Sequence, residues 1–194
     1  MSRLCIRIFR LKEYQYQILK NCLQREVMDS EKDFSWFRTL HRAIKCPGRR
    51  FYFWWRIANY LYKTGDKASR KYAISINRKL RNKYGTDINL GADIGPGLKV
   101  SHFVGIVVAD CCEIGSNLNI KQNVTIGIKY ENQSGKIYIG NNVTIGANSC
   151  IIGSDINIGN NVTIGAMSFV DKNVPNDCVV YNQRTDNLVY KRIA

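Results

Sequence analysis

The sequence predicts a parallel β-helix of hexapeptide repeats, preceded by a basic α-helical region. Three observations predict it. The phrase Asn-Asn-Val-Thr-Ile-Gly stands at Asn141–Gly146 and again at Asn160–Gly165, with a near copy at Gln122–Gly127. Around these copies aliphatic residues recur about every six positions: Ile88, Ile94, Val100 and Ile106, then Ile114, Ile120 and Ile126, then Ile139, Ile145 and Ile151, then Ile158, Ile164 and Val170. The charge is also split, because residues 1–84 hold 21 Lys+Arg against 6 Asp+Glu, whereas residues 85–194 hold 8 against 9.

A six-residue beat is neither helical nor simple strand periodicity. It is the beat of a coil with three short faces, each about six residues long. The 19-residue step from one phrase to the next is read as one coil plus one extra corner residue, so the three copies are expected to stack. Asn and Gly occupy the corners, where positive φ is wanted.

The basic half reads as four helices. The first spans residues 1–27, with Leu4, Ile8, Leu11, Ile18 and Leu19 apolar, and Asp29-Ser30 breaks it. The second runs from about Ser35 to Lys45, before Pro47-Gly48. The third, from Arg49 to about Lys63, is apolar nearly all round through Phe51–Trp55, Ile57 and Tyr60–Tyr62. It reads as a core or subunit-contact helix, or as one touching an anionic membrane surface. The fourth runs from Asp66 to about Lys83, and Tyr84-Gly85-Thr86 is the hinge into the coils. The organisation expected is a basic helical region at 1–86, a β-helix at 87–177 and a capping tail at 178–194.

Composition excludes several classes. No apolar run approaches the length of a transmembrane helix. Seven cysteines without a Cys-x-x-Cys pair read as reduced cytosolic thiols rather than a disulfide framework or a zinc site. A zinc β-helix enzyme needs three histidine ligands, and the chain has 2 histidines in all. The basic residues are spread over all four helices without a nucleic-acid motif.

Of the two histidines, His41 lies in the second helix and reads as structural or exposed. His102 interrupts the coil in Val100-Ser101-His102-Phe103-Val104-Gly105-Ile106. Imidazole is the usual general base near neutral pH, which makes His102 the candidate catalytic residue. A non-catalytic β-helix scaffold has no need of it.

Gly85-Thr86-Asp87-Ile88-Asn89, Ile94–His102 and Gly105-Ile106-Val107-Val108 together resemble the active-site stretch of serine O-acetyltransferases. The resemblance is closer to their relatives of the colanic-acid acetyltransferase type, and it runs from about Pro47 to Pro175. It implies a left-handed β-helix that uses acetyl-CoA, needs no metal and assembles as a homotrimer with clefts between subunits. It places the catalytic histidine at His102 and its aspartate partner at Asp87. It makes Ser101 and Asp110 the acceptor-side positions. Gly127, Ala147 and Ala166 match the small residues along the CoA groove.

Departures from the family shape the expected acceptor. Ser101 replaces an aspartate, and the loop Gly127–Lys136 contains neither Arg nor His where the serine enzymes have both. The family's Gly-Val-Pro-Ala tail is replaced by Tyr181–Thr185. The expected function is therefore O-acetyl transfer to a sugar hydroxyl of a surface polysaccharide, in the cytoplasm or peripherally at the inner membrane face. The alternative is serine O-acetyltransferase itself.

Overall fold

The computed structural model describes residues 3–129 and 135–182. Helix α1 spans Arg3–Leu23 and runs on into a π-helical turn, Gln24–Met28, which ends at Asp29 in the left-handed conformation (φ 45°). Helix α2 spans Trp36–Lys45, where the Ser35 hydroxyl caps the first turn by accepting from the Arg38 N–H. Helix α3 spans Pro47–Thr64, with proline in the first turn where its missing N–H costs nothing. Helix α4 spans Lys67–Tyr84, capped by the Asp66 carboxylate at one end and by left-handed Gly85 at the other.

From Thr86 the chain winds as a left-handed parallel β-helix. The first face stacks Thr86–Ile88, Ile106–Val108, Thr125–Gly127, Cys150–Ile152 and Phe169–Val170. The second stacks Asp93–Ile94, Cys112–Ile114, Ile137–Ile139 and Ile156–Ile158. The third stacks Lys99–Ser101, Asn119–Lys121, Thr144–Ile145, Thr163–Ile164 and Val179–Val180. All the aliphatics of the six-residue beat are buried inside this prism. Its corners use left-handed Asn117, Asn123, Asn142, Asn148 and Asn161.

Two register details differ from the sequence reading. Ile106 stands opposite Thr86, and it is Val108 that joins the column of Ile88 and Ile126. The near copy at Gln122–Gly127 puts its strand on the first face, whereas the two full copies put theirs on the third. The cause is an uneven coil. Along one corner the step from Asn117 to Asn142 is 25 residues, against 19 from Asn142 to Asn161 and 16 from Asn161 to Asp177. The extra length lies in the segment after Gly127, part of which is outside the described residues.

The helical region is fastened to the first coils by a buried polar clamp. Glu26, presented by the π-helical turn, and Arg56 of α3 pair through two hydrogen bonds of 2.6 and 2.8 Å. Arg56 also donates to the carbonyls of Ile94 and Gly95. Glu26 Oε1 accepts from the N–H groups of Gly97 and Leu98. Burial opposes the Arg56 charge, but the Glu26 carboxylate outweighs it and holds the guanidinium above its ordinary range. Nearby, the Tyr52 hydroxyl accepts from Val100 N at 2.8 Å, and Trp55 Nε1 donates to Ile88 O at 3.1 Å.

These contacts correct the membrane reading of α3. Its Phe51, Tyr52, Phe53, Trp55, Arg56 and Ala58 are buried, so the helix lacks a polar face because it is a core helix. No helix of the described residues is long and apolar enough to cross a membrane. Cys22, Cys46, Cys111, Cys112, Cys150 and Cys178 are free thiols.

Candidate active site

The coil turns from its third face to its first through the corner that holds His102. His102 adopts the left-handed conformation at φ 65°, a region L-residues seldom enter. The next residue anchors it. The Phe103 ring packs on Phe51 at 4.8 Å, on Tyr84 at 5.1 Å and on Tyr52 at 6.1 Å between centroids. The Phe103 carbonyl accepts from the Thr86 hydroxyl, and Gly105 N donates to Gly85 O at 2.8 Å. Gly105 is required, since its φ is 74° and a Cβ there would lie 2.1 Å from Asn123 Oδ1. With the corner fixed on both sides, the His102 side chain projects into solvent, where its imidazole hydrogen-bonds to no described residue.

The same prism edge continues coil by coil. Asn123 N donates to Val104 O, Asn148 N to Gln122 O and Met167 N to Ala147 O. Ala147 and Ala166 therefore lie on the edge that begins at His102. Gly127 does not. It pairs with Ile152 at the far end of the first face, so the structure separates it from the two alanines with which the sequence grouped it. The uneven coil is the reason. Asp110 is exposed at that far end too, packed against Gly91, and stands apart from the His102 corner. Ser101 closes its strand beside Lys121, next to His102 and half-buried.

Asp87 lies on the first strand of the first face, half-buried, within the segment that the His102 corner touches. Its carboxylate is not bonded to His102. Oδ2 accepts from Arg81 Nη1 of α4 at 3.2 Å. Asp87 and Arg81 line a cleft of about 310 Å³ together with Asn77, Arg78 and Asn89. Arg81 and Phe103 escaped the sequence reading. Nothing distinguishes Arg81 among the many cations of the helical half. Phe103 could have been noticed as an aromatic at a corner where Asn and Gly are the rule.

Cys112 is buried, and burial pushes its thiol well up. Among the described residues no cluster of three His, Cys, Asp or Glu could hold a metal ion.

Known proteins share the left-handed hexapeptide coil. No protein-family model matches the chain. The serine acetyltransferase of Staphylococcus xylosus is 39% identical over 73 residues, 37% of this chain and 32% of that protein. Serine acetyltransferase isoform 3 of Entamoeba histolytica, solved with cysteine, superposes with a TM-score of 0.70 at 26% identity, covering 92% of this chain and 62% of that one. Serine acetyltransferase of Brucella abortus, solved with coenzyme A, gives 0.67 at 26% identity, covering 91% of this chain and 68% of that one.

The chain thus spans 22–32% of the length of the curated relatives it matches. These likenesses support the serine-acetyltransferase-like hexapeptide-repeat family. They give no support to the colanic-acid type. The expectation of a surface-polysaccharide acceptor is overturned, because the relatives and solved structures are named serine acetyltransferases. That expectation rested on the resemblance to the colanic-acid type and on what the loop after Gly127 lacks, and the absence of one pair of side chains does not specify a sugar.

Proposed function

We propose that the chain is an acetyl-CoA-dependent O-acetyltransferase of the serine acetyltransferase type, with the hydroxyl of L-serine as acceptor. The observation that carries this reading is the exposed His102, held in a left-handed corner on the same edge as Ala147 and Ala166. Its imidazole removes the hydroxyl proton as the serine oxygen attacks the thioester carbonyl. The tetrahedral intermediate collapses, the C–S bond breaks, and the imidazolium returns the proton to the leaving thiolate. Asp87 orients the imidazole once its carboxylate exchanges Arg81 for His102, as the third member of a triad does. Arg81 then faces the acceptor and supplies a guanidinium for the serine carboxylate, where the loop after Gly127 has no arginine. Ser101, beside His102, lies on the acceptor side, and Ala147 and Ala166 leave room for coenzyme A along the edge. We assign Asp110 and Gly127 no part in one chain's site.

In this reading residues 1–86 support the site and 87–177 carry it, and of the capping tail expected at 178–194, residues 183–194 lie outside the described residues. A homotrimer fits the exposed apolar strip of Val104, Val107, Met167 and Phe169 beside the site, which a neighbouring prism would cover. Light scattering tests the assembly, and a mass near one 22.2 kDa chain would exclude a shared cleft. Thiol release from acetyl-CoA, measured with and without L-serine, tests the function. Serine-dependent release with O-acetylserine as product is expected, and release indifferent to serine would overturn it.

A further inference from the structure

The second helix is built the wrong way out for a helix that packs only on its own chain. At about 100° per residue, Trp36, Leu40, Ile44 and Phe37 occupy one arc of α2. His41, Lys45, Arg38 and Arg42 occupy the next. The arc that faces the rest of the protein holds the small Thr39 and Ala43, which are buried. The large apolar side chains point outward: Phe37 is 81% exposed, Ile44 62% and Leu40 45%. Trp36 is held at the border, stacked on Tyr16 and donating to its hydroxyl at 2.9 Å.

A cation-lined cleft adjoins this ridge. Its volume is about 350 Å³, and Lys32, Phe37, Arg38, His41 and Arg42 line it. Arg38 donates one N–H to the Asp33 carbonyl. The side chains of Lys32, His41 and Arg42 make no hydrogen bond or ion pair among the described residues. Among the described residues no carboxylate lines the cleft, and of the three in residues 29–50, Asp29 is paired with Arg49 at 2.9 Å, which leaves Glu31 and Asp33. From Asp29 to Arg50 there are 6 Lys+Arg against 3 Asp+Glu.

We propose that α2 is a peripheral anchor for an anionic lipid bilayer. Phe37, Leu40 and Ile44 enter the boundary between headgroups and acyl chains, and the cleft of Lys32, Arg38 and Arg42 receives a lipid phosphate. An outward apolar arc flanked by cations is the pattern of an interfacial helix, and each cation near an anionic leaflet adds attraction. A second copy of the chain is the poorer occupant, because it would bring two helical regions of 21 Lys+Arg against 6 Asp+Glu face to face. The inference does not depend on the acetyltransferase reading, since no residue of the His102 corner takes part.

Co-sedimentation of the full chain with vesicles tests it at moderate salt. One set is phosphatidylcholine alone, and the other contains roughly 30% phosphatidylglycerol, enough for a negative surface potential. Binding is expected to the second set only. The double variant Phe37→Ser/Ile44→Ser, which leaves the Thr39–Ala43 side intact, should weaken that binding about tenfold or more, with unchanged circular dichroism. Arg42→Gln should weaken it less and flatten its salt dependence. Absence of vesicle binding would overturn the proposal. So would equal binding to both sets, or anionic binding that the double variant leaves intact. If the double variant instead lowers the mass seen by light scattering and vesicles never bind, the occupant is another copy and the proposal is wrong.

Discussion

Replacing Glu26 by Gln should destabilise the protein more than any surface charge change. The Glu26 side chain is 0% exposed and that of Arg56 4% exposed, and their contact is bidentate. The substitution is nearly isosteric, so packing survives. What it removes is the compensating charge, leaving the Arg56 guanidinium buried beside a neutral amide whose NH₂ opposes the arginine's own donors. Breaking a buried pair from one side costs about 3–5 kcal/mol. For a chain of this size each kcal/mol moves the melting temperature by roughly 2–4 °C, so a fall of roughly 6–20 °C is expected. Thermal unfolding followed by circular dichroism measures it. Two controls sharpen the result. Asp29→Asn, which breaks the exposed pair with Arg49 and keeps a residue tolerant of φ 45°, should cost at most about 1 kcal/mol. The double variant Glu26→Leu/Arg56→Met should be more stable than Glu26→Gln alone, because no buried charge is left unpaired. A Glu26→Gln melt within about 2 °C of wild type would falsify the clamp as a source of stability.

Four further outcomes are expected. His102→Ala should lower serine-dependent thiol release by about 10²-fold or more without a change in melting temperature, and near-wild-type turnover would remove His102 from the mechanism. Asp87→Asn should cost no more than His102→Ala, and the double variant should fall far short of the product of the two losses. Arg81→Ala should raise the KM for L-serine about tenfold and leave that for acetyl-CoA unchanged, whereas a fall in kcat alone would make Arg81 only a holder of Asp87. Ellman's reagent should leave Cys22 and Cys112 unmodified in the native protein, because burial pushes the Cys22 thiol up to about 11 and that of Cys112 higher still; rapid labelling of either would contradict their burial.

How much of this was legible in the sequence differs by level. The prism was, because each inward aliphatic must be apolar and a period of six is neither that of a helix nor that of a simple strand. The helices were too, since Asp29, Pro47, Gly65 and Gly85 punctuate them. The column assignments were not. A period read along the chain carries no record of where a coil is lengthened, so Gly127 was grouped with Ala147 and Ala166 although the structure puts it a face away. His102 stood out because it is the one histidine in the coils. Arg81 and the Glu26–Arg56 pair did not, because their partners are far off in sequence and only folding brings them together. The side of α3 that meets the coils and the side of α2 that does not both carry large aromatic side chains. Only packing distinguishes them.

The corner ladder of Asn117, Asn142, Asn161 and Asp177 runs unbroken across coils of unequal length, each rung donating an amide N–H to the next oxygen at 2.7–2.9 Å. Rung spacing is set by the strand stack and not by the count of residues between rungs. Insertions and deletions at a corner are thereby uncoupled from the core. A lineage bearing this ladder is free to lengthen, shorten or exchange the segment after Gly127 in a single genetic event and still fold. The segment after Gly127 is thus open to change at a pace the His102 corner, wedged by Phe103 and Gly105, cannot follow.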